Sequence, residues 1–231
     1  MSFHNSTIAI IGASGAIGTA LARRLKAQNA SLLLISRTPD KLAPLSAELD
    51  SPALTLDQLN TPITGIVNCA GSILLKPAHL TTDDEWNQTI ETNLTTAFHT
   101  VRIGAKAMMA SGGSIVLCST AAARAGFANH EAIAAAKAGV IGLTLSAAAT
   151  YAPRNIRVNC VAPGLVDTPL AARITANPAA LQASTAMHAL GRIGRPEDVA
   201  SAIAWLLNPE NSWVTGQVLG VDGGLASLKP R

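Results

Sequence analysis

The sequence is poor in aromatic and in charged side chains. Of its 231 residues, 3% are aromatic and 13% are charged, and Tyr151 is the one tyrosine in the chain. A nucleic-acid-binding groove needs clustered lysine and arginine together with aromatic rings on which bases stack. The basic residues here are scattered and leave a formal net charge of only +3. We therefore predict no nucleic-acid partner.

Long apolar runs and paired cysteines are lacking as well. Although 48% of the residues are hydrophobic, no uninterrupted apolar run has membrane length, and Ile8–Ile11 is too short for the core of a signal peptide. The cysteines Cys69, Cys118 and Cys160 are odd in number and far apart, and each lies in an apolar run. This pattern favours reduced core thiols over disulfides or a metal site. We predict a cytoplasmic protein with no membrane partner and no metal.

Apolar strand patterns alternate with helical patterns along the whole sequence, beginning with Thr7–Ile11 and Ser31–Ile35. This alternation predicts an α/β fold: a doubly wound (Rossmann) parallel sheet of about seven strands in a single domain over residues 1–231. Only nine residues, Asp57 to Gly65, join the third and fourth strands. A crossover between parallel strands usually needs a dozen or more residues, so we predict that its helix is missing or vestigial.

Three glycines spaced by three stand at the first strand-to-helix turn, in the run Gly12-Ala-Ser-Gly15-Ala-Ile-Gly18. Free backbone N–H groups and the positive end of a helix bind a dinucleotide pyrophosphate at such a turn. The alternative is an ordinary tight turn, because glycine marks those too. A strand before, a helix after Gly18 and a second strand at the right distance favour nucleotide binding.

Two long helices are predicted over residues 82–110 and 131–150. Apolar residues at helical spacing place Trp86 and Phe98 of the first helix in the core. The second helix is rich in alanine, whose small side chain allows close helix–helix approach. We predict a homo-oligomer, a dimer or tetramer, formed through these helices; the alternative is a helix packed tightly on its own sheet. The stretch from Thr168 to His188 is expected to be mobile.

The order and spacing of the motifs resemble the short-chain dehydrogenases/reductases, in their smaller single-domain branch, over nearly the whole chain. Besides the glycine loop, the matching segments are Asn68-Cys-Ala-Gly71, Asn93, Arg157-Val-Asn-Cys-Val-Ala-Pro-Gly164, Gly194-Arg-Pro-Glu-Asp198 and Asp222-Gly-Gly224. The resemblance implies an oxidoreductase that moves a hydride between a nicotinamide dinucleotide and a small carbonyl or alcohol.

The resemblance also implies which residues hold the cofactor. Expected at the pyrophosphate are Gly12, Ser14, Gly15, Ala16, Ile17 and Gly18, and by the adenine Asp57. Expected along the ribose are Asn68, Ala70, Gly71 and Lys137, and around the nicotinamide carboxamide Pro163, Gly164, Val166 and Thr168. The loop departs from the family pattern at Ala16, where glycine is usual. An alanine is tolerated there only if its φ is negative.

The end of the second strand favours NADP(H) over NAD(H). NAD-specific sites place an acidic residue there, which accepts hydrogen bonds from the ribose and repels a 2′-phosphate. This sequence instead has Ser36 and Arg37, a hydroxyl and a guanidinium that suit a phosphate. The alternative is that Arg37 is a solvated surface side chain.

One catalytic position is altered. By resemblance, the proton relay uses Asn, Ser, Tyr and Lys, with the tyrosine four residues before the lysine on one helix face. Asn93 and Lys137 are present and Thr120 stands at the serine position, but Ile133 stands at the tyrosine position. An isoleucine cannot transfer a proton. Tyr151 cannot replace the tyrosine, because fourteen helical residues separate it from Lys137 by ~21 Å.

His130 is the nearest titratable substitute. A histidine is a competent acid and base near neutral pH, but this one would lie one helical turn too far from the site. The alternative is that His130 is only a polar residue at the start of the helix, with Asn129 as the N-cap. Two functions stay open. One is an NADP(H)-dependent oxidoreductase with a relay through Thr120, Lys137, water or His130, and the other is a catalytically inactive NADP(H)-binding sensor or partner protein. The small apolar lining around the site favours a modest apolar substrate (Ser72–Leu75, Ala121–Phe127, Leu165–Ile174).

Overall fold

The computed structural model describes residues 2–229 and contains one sheet of seven parallel strands. The strands are β1 (Thr7–Ile11), β2 (Ser31–Ile35), β3 (Ala53–Leu54), β4 (Gly65–Asn68), β5 (Gly113–Cys118), β6 (Ile156–Pro163) and β7 (Val218–Val221). Their order across the sheet is β3-β2-β1-β4-β5-β6-β7. The order reverses beside β1, between β2 and β4, which creates a crevice at the carboxyl ends of the strands. The predicted doubly wound α/β fold is confirmed.

Helices cover both faces of the sheet. Along the described chain they are α1 (Ala16–Lys26), α2 (Ala43–Leu49), α3 (Asp83–Ile90), α4 (Thr96–Met108), α5 (Glu131–Tyr151), α6 (Ala172–Thr175), α7 (Pro178–Met187) and α8 (Pro196–Leu207). Helices α1, α2 and α8 share one apolar core with the sheet, and α4 and α5 share the other. The stretch expected to be mobile holds the two short helices α6 and α7.

The helix predicted to be missing between β3 and β4 is absent from this part of the structure. The connection contains a single 3₁₀ turn, Leu56–Gln58, closed by a reciprocal pair of hydrogen bonds between Thr55 and Gln58. Leu56 and Leu59 pack from this connection against the α4–α5 core. Two leucines therefore cover the sheet where related folds place a helix.

The first long helix is interrupted by a π-helical turn, Glu91–Thr95, between α3 and α4. Its start agrees with the prediction, because Thr82 and Glu85 form a capping box. The core assignment of Trp86 and Phe98 is wrong, since they are 43% and 50% exposed. The helix buries small residues against the sheet instead, among them Asn93, Ala97, Val101 and Gly104. The rings of Trp86 and Phe98 lie on the solvent-exposed side of the helix.

Helix α5 is apolar on nearly all sides. By length and hydropathy, the segment Glu131–Arg154 passes as a membrane-spanning helix, yet 44% of its most apolar stretch is buried within the fold. It packs on β6 and on the π-helical turn, so packing accounts for much of its apolar surface. The predicted N-cap is wrong: His130 occupies that position without a capping hydrogen bond, and Asn129 adopts a left-handed conformation with φ +63°.

Candidate functional site

The glycine loop joins β1 to α1 at the carboxyl edge of the sheet. Helix α1 begins at Ala16, with Gly15 as its N-cap, so the predicted start after Gly18 is almost a turn too late. Gly12 has φ +78°, and a Cβ there would lie 2.6 Å from the backbone nitrogen of Ala70. A Cβ on Gly18 would overlap the carbonyl oxygen of Gly12. Both glycines are required by close backbone approach, and Ala16 has the negative φ that its side chain needs.

A cavity of about 680 Å³ opens above this loop. It is large enough for most of a dinucleotide. It brings together many of the predicted cofactor residues: Gly12, Ser14, Gly15, Ala16, Ile17, Gly18, Ser36, Arg37, Asp57, Ala70, Gly71 and Thr168. Five others do not line it: Asn68, Lys137, Pro163, Gly164 and Val166.

Asn68 does not line the cavity but supports its wall through two hydrogen bonds. Its side-chain Oδ1 accepts a hydrogen bond from the backbone N–H of Ala70 at 2.9 Å, and its Nδ2 donates to the hydroxyl of Thr96 at 3.4 Å. The turn at the end of β4 is thereby fixed where it contacts the glycine loop. One amide thus links the backbone that lines the cavity at Ala70 to helix α4.

The end of β2 carries no carboxylate. Arg37 is exposed and forms no salt bridge within residues 2–229, and the hydroxyl of Ser36 accepts from the N–H of Thr38 at 3.2 Å. Asp57 lies at the same end of the cavity. A hydrogen bond from the Thr55 side chain, with a smaller backbone contribution, lowers the pKa of the Asp57 carboxyl. Arg37 is thus free to receive an anionic group.

Asn93 lies buried in the π-helical turn. Its Oδ1 accepts from the backbone N–H of Ser72 at 3.1 Å. Its Nδ2 donates to the hydroxyl of Ser72 and to the carbonyl of Thr89, both at 2.9 Å. Three of the four hydrogen-bonding positions of the Asn93 amide are therefore occupied, which fixes its orientation.

Lys137 projects from α5 into the interior at the end of β5. Its Nζ donates to the carbonyl oxygen of Cys118 at 2.9 Å. Burial lowers the pKa of the Lys137 ammonium, and the neighbouring thiols oppose that shift. The hydroxyl of Ser119 donates to the backbone carbonyl of Lys137 at 2.8 Å, which ties α5 to the end of β5.

Gly71 lies between Asn93 and Lys137. A Cβ built on Gly71 would lie 3.0 Å from Oδ1 of Asn93 and 3.4 Å from Nζ of Lys137. The two polar side chains therefore meet around the backbone of Gly71 and Ser72, next to the cavity wall. A side chain at Gly71 would push them apart.

The remaining catalytic candidates, Thr120 and His130, bond to other groups. Oγ1 of Thr120 accepts from the N–H of Ala122 at 3.3 Å and lies 3.5 Å from the carbonyl of Pro163. Ile133 is buried. Nδ1 of His130 lies 2.7 Å from the carbonyl oxygen of Ala128. No hydrogen bond joins His130 to Asn93, Thr120 or Lys137 in the described chain.

The three cysteines are thiols. A hydrogen bond between their side chains couples Cys69 and Cys118, raising the pKa of Cys69 and lowering that of Cys118. Burial raises the pKa of Cys160 to about 12. Within residues 2–229, no group of three or more His, Cys, Asp or Glu side chains is placed to hold a metal ion.

Two polar residues were missed as functional candidates. Ser72 was predicted only as part of the apolar lining, although it directly follows the segment ending at Gly71. His188 was predicted only as the end of a mobile stretch, yet it is buried and bonded to the loop after β6. The position of Ser72 directly after Gly71 indicates that it lies near the site. Nothing in the sequence indicates the hydrogen-bond partners of His188.

The sheet order, the glycine loop and the crevice define the class of doubly wound nucleotide-binding α/β proteins. Within that class, the chain belongs to the short-chain dehydrogenase/reductase family. Residues 12–226 match the family model described as enoyl-(acyl carrier protein) reductase. The family and the oxidoreductase class predicted from the sequence are confirmed.

Relatives and solved structures match nearly end to end. The chain is 34% identical to cis-4-hydroxycyclohexanecarboxylate dehydrogenase of Sinomonas cyclohexanicum, over 98% of each chain. A short-chain type dehydrogenase/reductase from Mycobacterium ulcerans superposes with a TM-score of 0.91 at 30% identity, over 100% of this chain and 93% of that one. A Beutenbergia cavernae protein assigned as an NAD(P)-dependent gluconate 5-dehydrogenase was solved with bound NADP. It superposes with a TM-score of 0.92 at 30% identity, over 98% of this chain and 99% of that one.

Proposed function

We propose that the chain is a cytoplasmic NADP(H)-dependent oxidoreductase that transfers a hydride to or from a small, modestly apolar carbonyl or alcohol. The observation that carries the proposal is the meeting of Asn93 and Lys137 around Gly71, at the wall of a dinucleotide-sized cavity. The matched relatives include named dehydrogenases. Nothing in them favours the catalytically inactive alternative.

The preference for NADP(H) rests on the end of β2. Arg37 is exposed, has no acidic partner in the described chain and lines the cavity beside Ser36. A guanidinium binds a phosphate through charge-assisted, often bidentate hydrogen bonds. Among the solved structural neighbours, one holds NADP and another holds NAD, so the assignment is carried by Arg37 and Ser36.

The proton relay is altered because a buried aliphatic side chain, Ile133, replaces the phenol. The cofactor supplies the hydride. In this chain, Lys137 holds a proton on Nζ next to the end of β5, and Thr120 carries a hydroxyl two residues beyond the carbonyl that Lys137 binds. The hydroxyl of the intervening Ser119 already donates to the backbone carbonyl of Lys137. We infer a relay from Lys137 through Thr120 or a water molecule to the substrate oxygen. His130 is the weaker candidate, since Nδ1 is held by Ala128 and no contact ties the ring to Lys137.

We also propose a homo-oligomer through the two long helices. The outer face of α5 presents a stripe of exposed small and apolar residues, Ala135, Ala138, Gly142, Leu145 and Ala149. On α4, Phe98 is exposed, with the guanidinium of Arg102 5.7 Å from its ring centre. Exposed apolar stripes of this kind are typical of subunit interfaces.

The proposal is tested by binding and by turnover. Fluorescence titration should give tighter binding of NADPH than of NADH, and NADPH should be consumed over a panel of small aldehydes, ketones and quinones. Equal affinity for both cofactors would overturn the NADP(H) assignment. Tight binding of NADPH with no turnover on the whole panel would argue for the inactive alternative.

A further inference from the structure

His188 is a buried histidine with both ring nitrogens occupied. It follows the last residue of α7 and is 3% exposed. Its Nδ1 lies 2.6 Å from the carbonyl oxygen of Ser184, and its Nε2 accepts from the backbone N–H of Leu165 at 3.2 Å. Only a neutral imidazole with its hydrogen on Nδ1 satisfies both contacts. Protonation would place an N–H on Nε2, facing the N–H of Leu165.

The ring is enclosed by three segments. These are the last turn of α7, the pair Gly164–Leu165 after β6, and Asp222–Gly223 after β7. A Cβ on Gly164 would lie 2.7 Å from Nε2, and a Cβ on Gly223 would lie 3.6 Å from the Cβ and Cδ2 of His188.

One ionisable side chain other than His188 lies on these three segments, the carboxylate of Asp222. Its two oxygens accept from the backbone N–H groups of Gly224 and Ala226, at 3.0 and 3.1 Å. Both oxygens of the Asp222 carboxylate therefore stabilise the turn after β7. No hydrogen bond or salt bridge joins it to His188 in the described chain.

The loop that His188 holds is the one expected to frame the nicotinamide. On one side, backbone bonds fix it to Gly194: Gly194 N–H donates to Leu165 at 2.8 Å, and Asp167 N–H donates to Gly194 at 2.9 Å. On the other side, the His188 ring joins it to α7. The imidazole is therefore the side chain through which the loop is joined to α7.

We propose that neutral His188 is a positioning residue that joins the loop Gly164–Thr168 to α7 and so sets this loop for the nicotinamide end of the cofactor. This inference rests on the proposed function, because the loop's role toward the nicotinamide is part of it. Loss of the acceptor at Nε2 should therefore weaken binding at the nicotinamide end of the cofactor and leave binding at the adenosine end unchanged.

The test compares NADP⁺ with 2′,5′-ADP, which has the same phosphorylated adenosine but no nicotinamide. Both affinities are measured by calorimetry at a single pH for the wild type, His188→Leu and His188→Gln. We expect the ratio of NADP⁺ affinity to 2′,5′-ADP affinity to fall about tenfold in His188→Leu, which lacks the acceptor, the effect of one hydrogen bond. In His188→Gln, whose Oε1 can still accept from Leu165, the ratio should stay within about twofold of the wild-type ratio. A His188→Leu ratio equal to that of the wild type, or a His188→Gln ratio that falls as far as that of His188→Leu, would overturn the inference.

A second measurement needs no cofactor. Hydrogen exchange followed by mass spectrometry on residues 164–170 should show protection that is lost in His188→Leu and kept in His188→Gln. If this protection in His188→Leu equals that of the wild type, the inference fails even without a ligand. If exchange behaves as expected but no dinucleotide binds, the contact stands and the proposed function falls.

Discussion

Two hydrogen bonds join Asn93 to Ser72, one from the Ser72 backbone N–H to Oδ1 at 3.1 Å and one from Nδ2 to the Ser72 hydroxyl at 2.9 Å. Since the hydroxyl accepts from the amide, its own hydrogen remains available to a substrate or a water molecule. The pair lies beside Lys137, next to the backbone of Gly71. It gives the site a hydroxyl that the family motif does not contain.

We expect Ser72→Ala to lower kcat about tenfold, because Nδ2 of Asn93 loses one of its two acceptors and the site loses a hydroxyl. NADPH affinity should stay within about twofold, since the backbone N–H that binds Oδ1 remains. Steady-state kinetics with the best substrate of the carbonyl panel provide the measurement.

The controls for this change are Ser72→Thr, which keeps a hydroxyl and should recover most of the rate, and Ser111→Ala. Ser111 donates to the adjacent carbonyl of Gly112 near the amino end of β5, far from the glycine loop. Unchanged kcat in Ser72→Ala would show that the hydroxyl takes no part in turnover.

Ile133→Tyr should raise the rate of hydride transfer. Residue 133 lies four residues before Lys137 and on the same face of α5, so a phenol there meets a cation that lowers its pKa. A general acid contributes about a hundred- to ten-thousand-fold, and we expect at least tenfold after some loss to overpacking.

Ile133→Phe is the matched control, because it adds the same ring without the hydroxyl. Single-turnover oxidation of NADPH separates the two variants. Equal rates in both would contradict the assignment of position 133. Turnover found only in Ile133→Tyr would show that the wild type does not catalyse this reaction.

Arg37→Ala should weaken NADPH binding about tenfold or more and leave NADH binding within about twofold, since a charged hydrogen bond to the 2′-phosphate is lost. Arg24, exposed on α1 away from the cavity, supplies the control Arg24→Ala. Fluorescence titration with both cofactors measures the change. A parallel loss for NADH and NADPH would place Arg37 outside the 2′-phosphate site.

Lys137 makes stability depend on pH. Burial lowers its pKa below the ordinary value of 10.5 in the folded protein, so the unfolded chain binds the proton more tightly. The destabilisation is complete below the folded pKa and disappears as the pH rises past 10.5. Lys137→Met removes this dependence, so the stability of the variant relative to the wild type should be greater at neutral pH than at pH 10.5.

Urea unfolding at both pH values measures that change, with the exposed Lys106→Met as control. A difference that stays constant with pH would contradict the burial effect. The same variant should bind NADPH more weakly, because Lys137 is expected beside the cofactor ribose.

The sequence predicts most strongly where local chemistry decides the structure. The spacing of Gly12, Gly15 and Gly18 locates the predicted cofactor loop, because a Cβ at each glycine would lie close to backbone atoms within or next to that loop. The nine-residue join from Asp57 to Gly65 excludes a helix by length alone. Both features depend on the chain immediately around them.

Features set by distant contacts could not be predicted. The π-helical turn at Asn93 and the bond from His188 to Leu165 depend on residues more than twenty positions away. The orientation of α4 was misjudged because the helix is apolar on two sides, and the sequence does not tell which side meets the sheet. Phe98, assigned to the core, lies on the exposed side of the helix.

That exposed ring leads to a prediction on assembly. If α4 and α5 form the subunit interface, Phe98→Asp and Leu145→Arg should each shift the protein to a smaller species, since a charge would be buried without a partner. Light scattering after size-exclusion chromatography gives the mass. Leu190→Asp is the control, because Leu190 is 72% exposed but lies outside these helices. A monomeric wild type would contradict the oligomer itself, and an oligomer that survives both changes would place the interface outside α4 and α5.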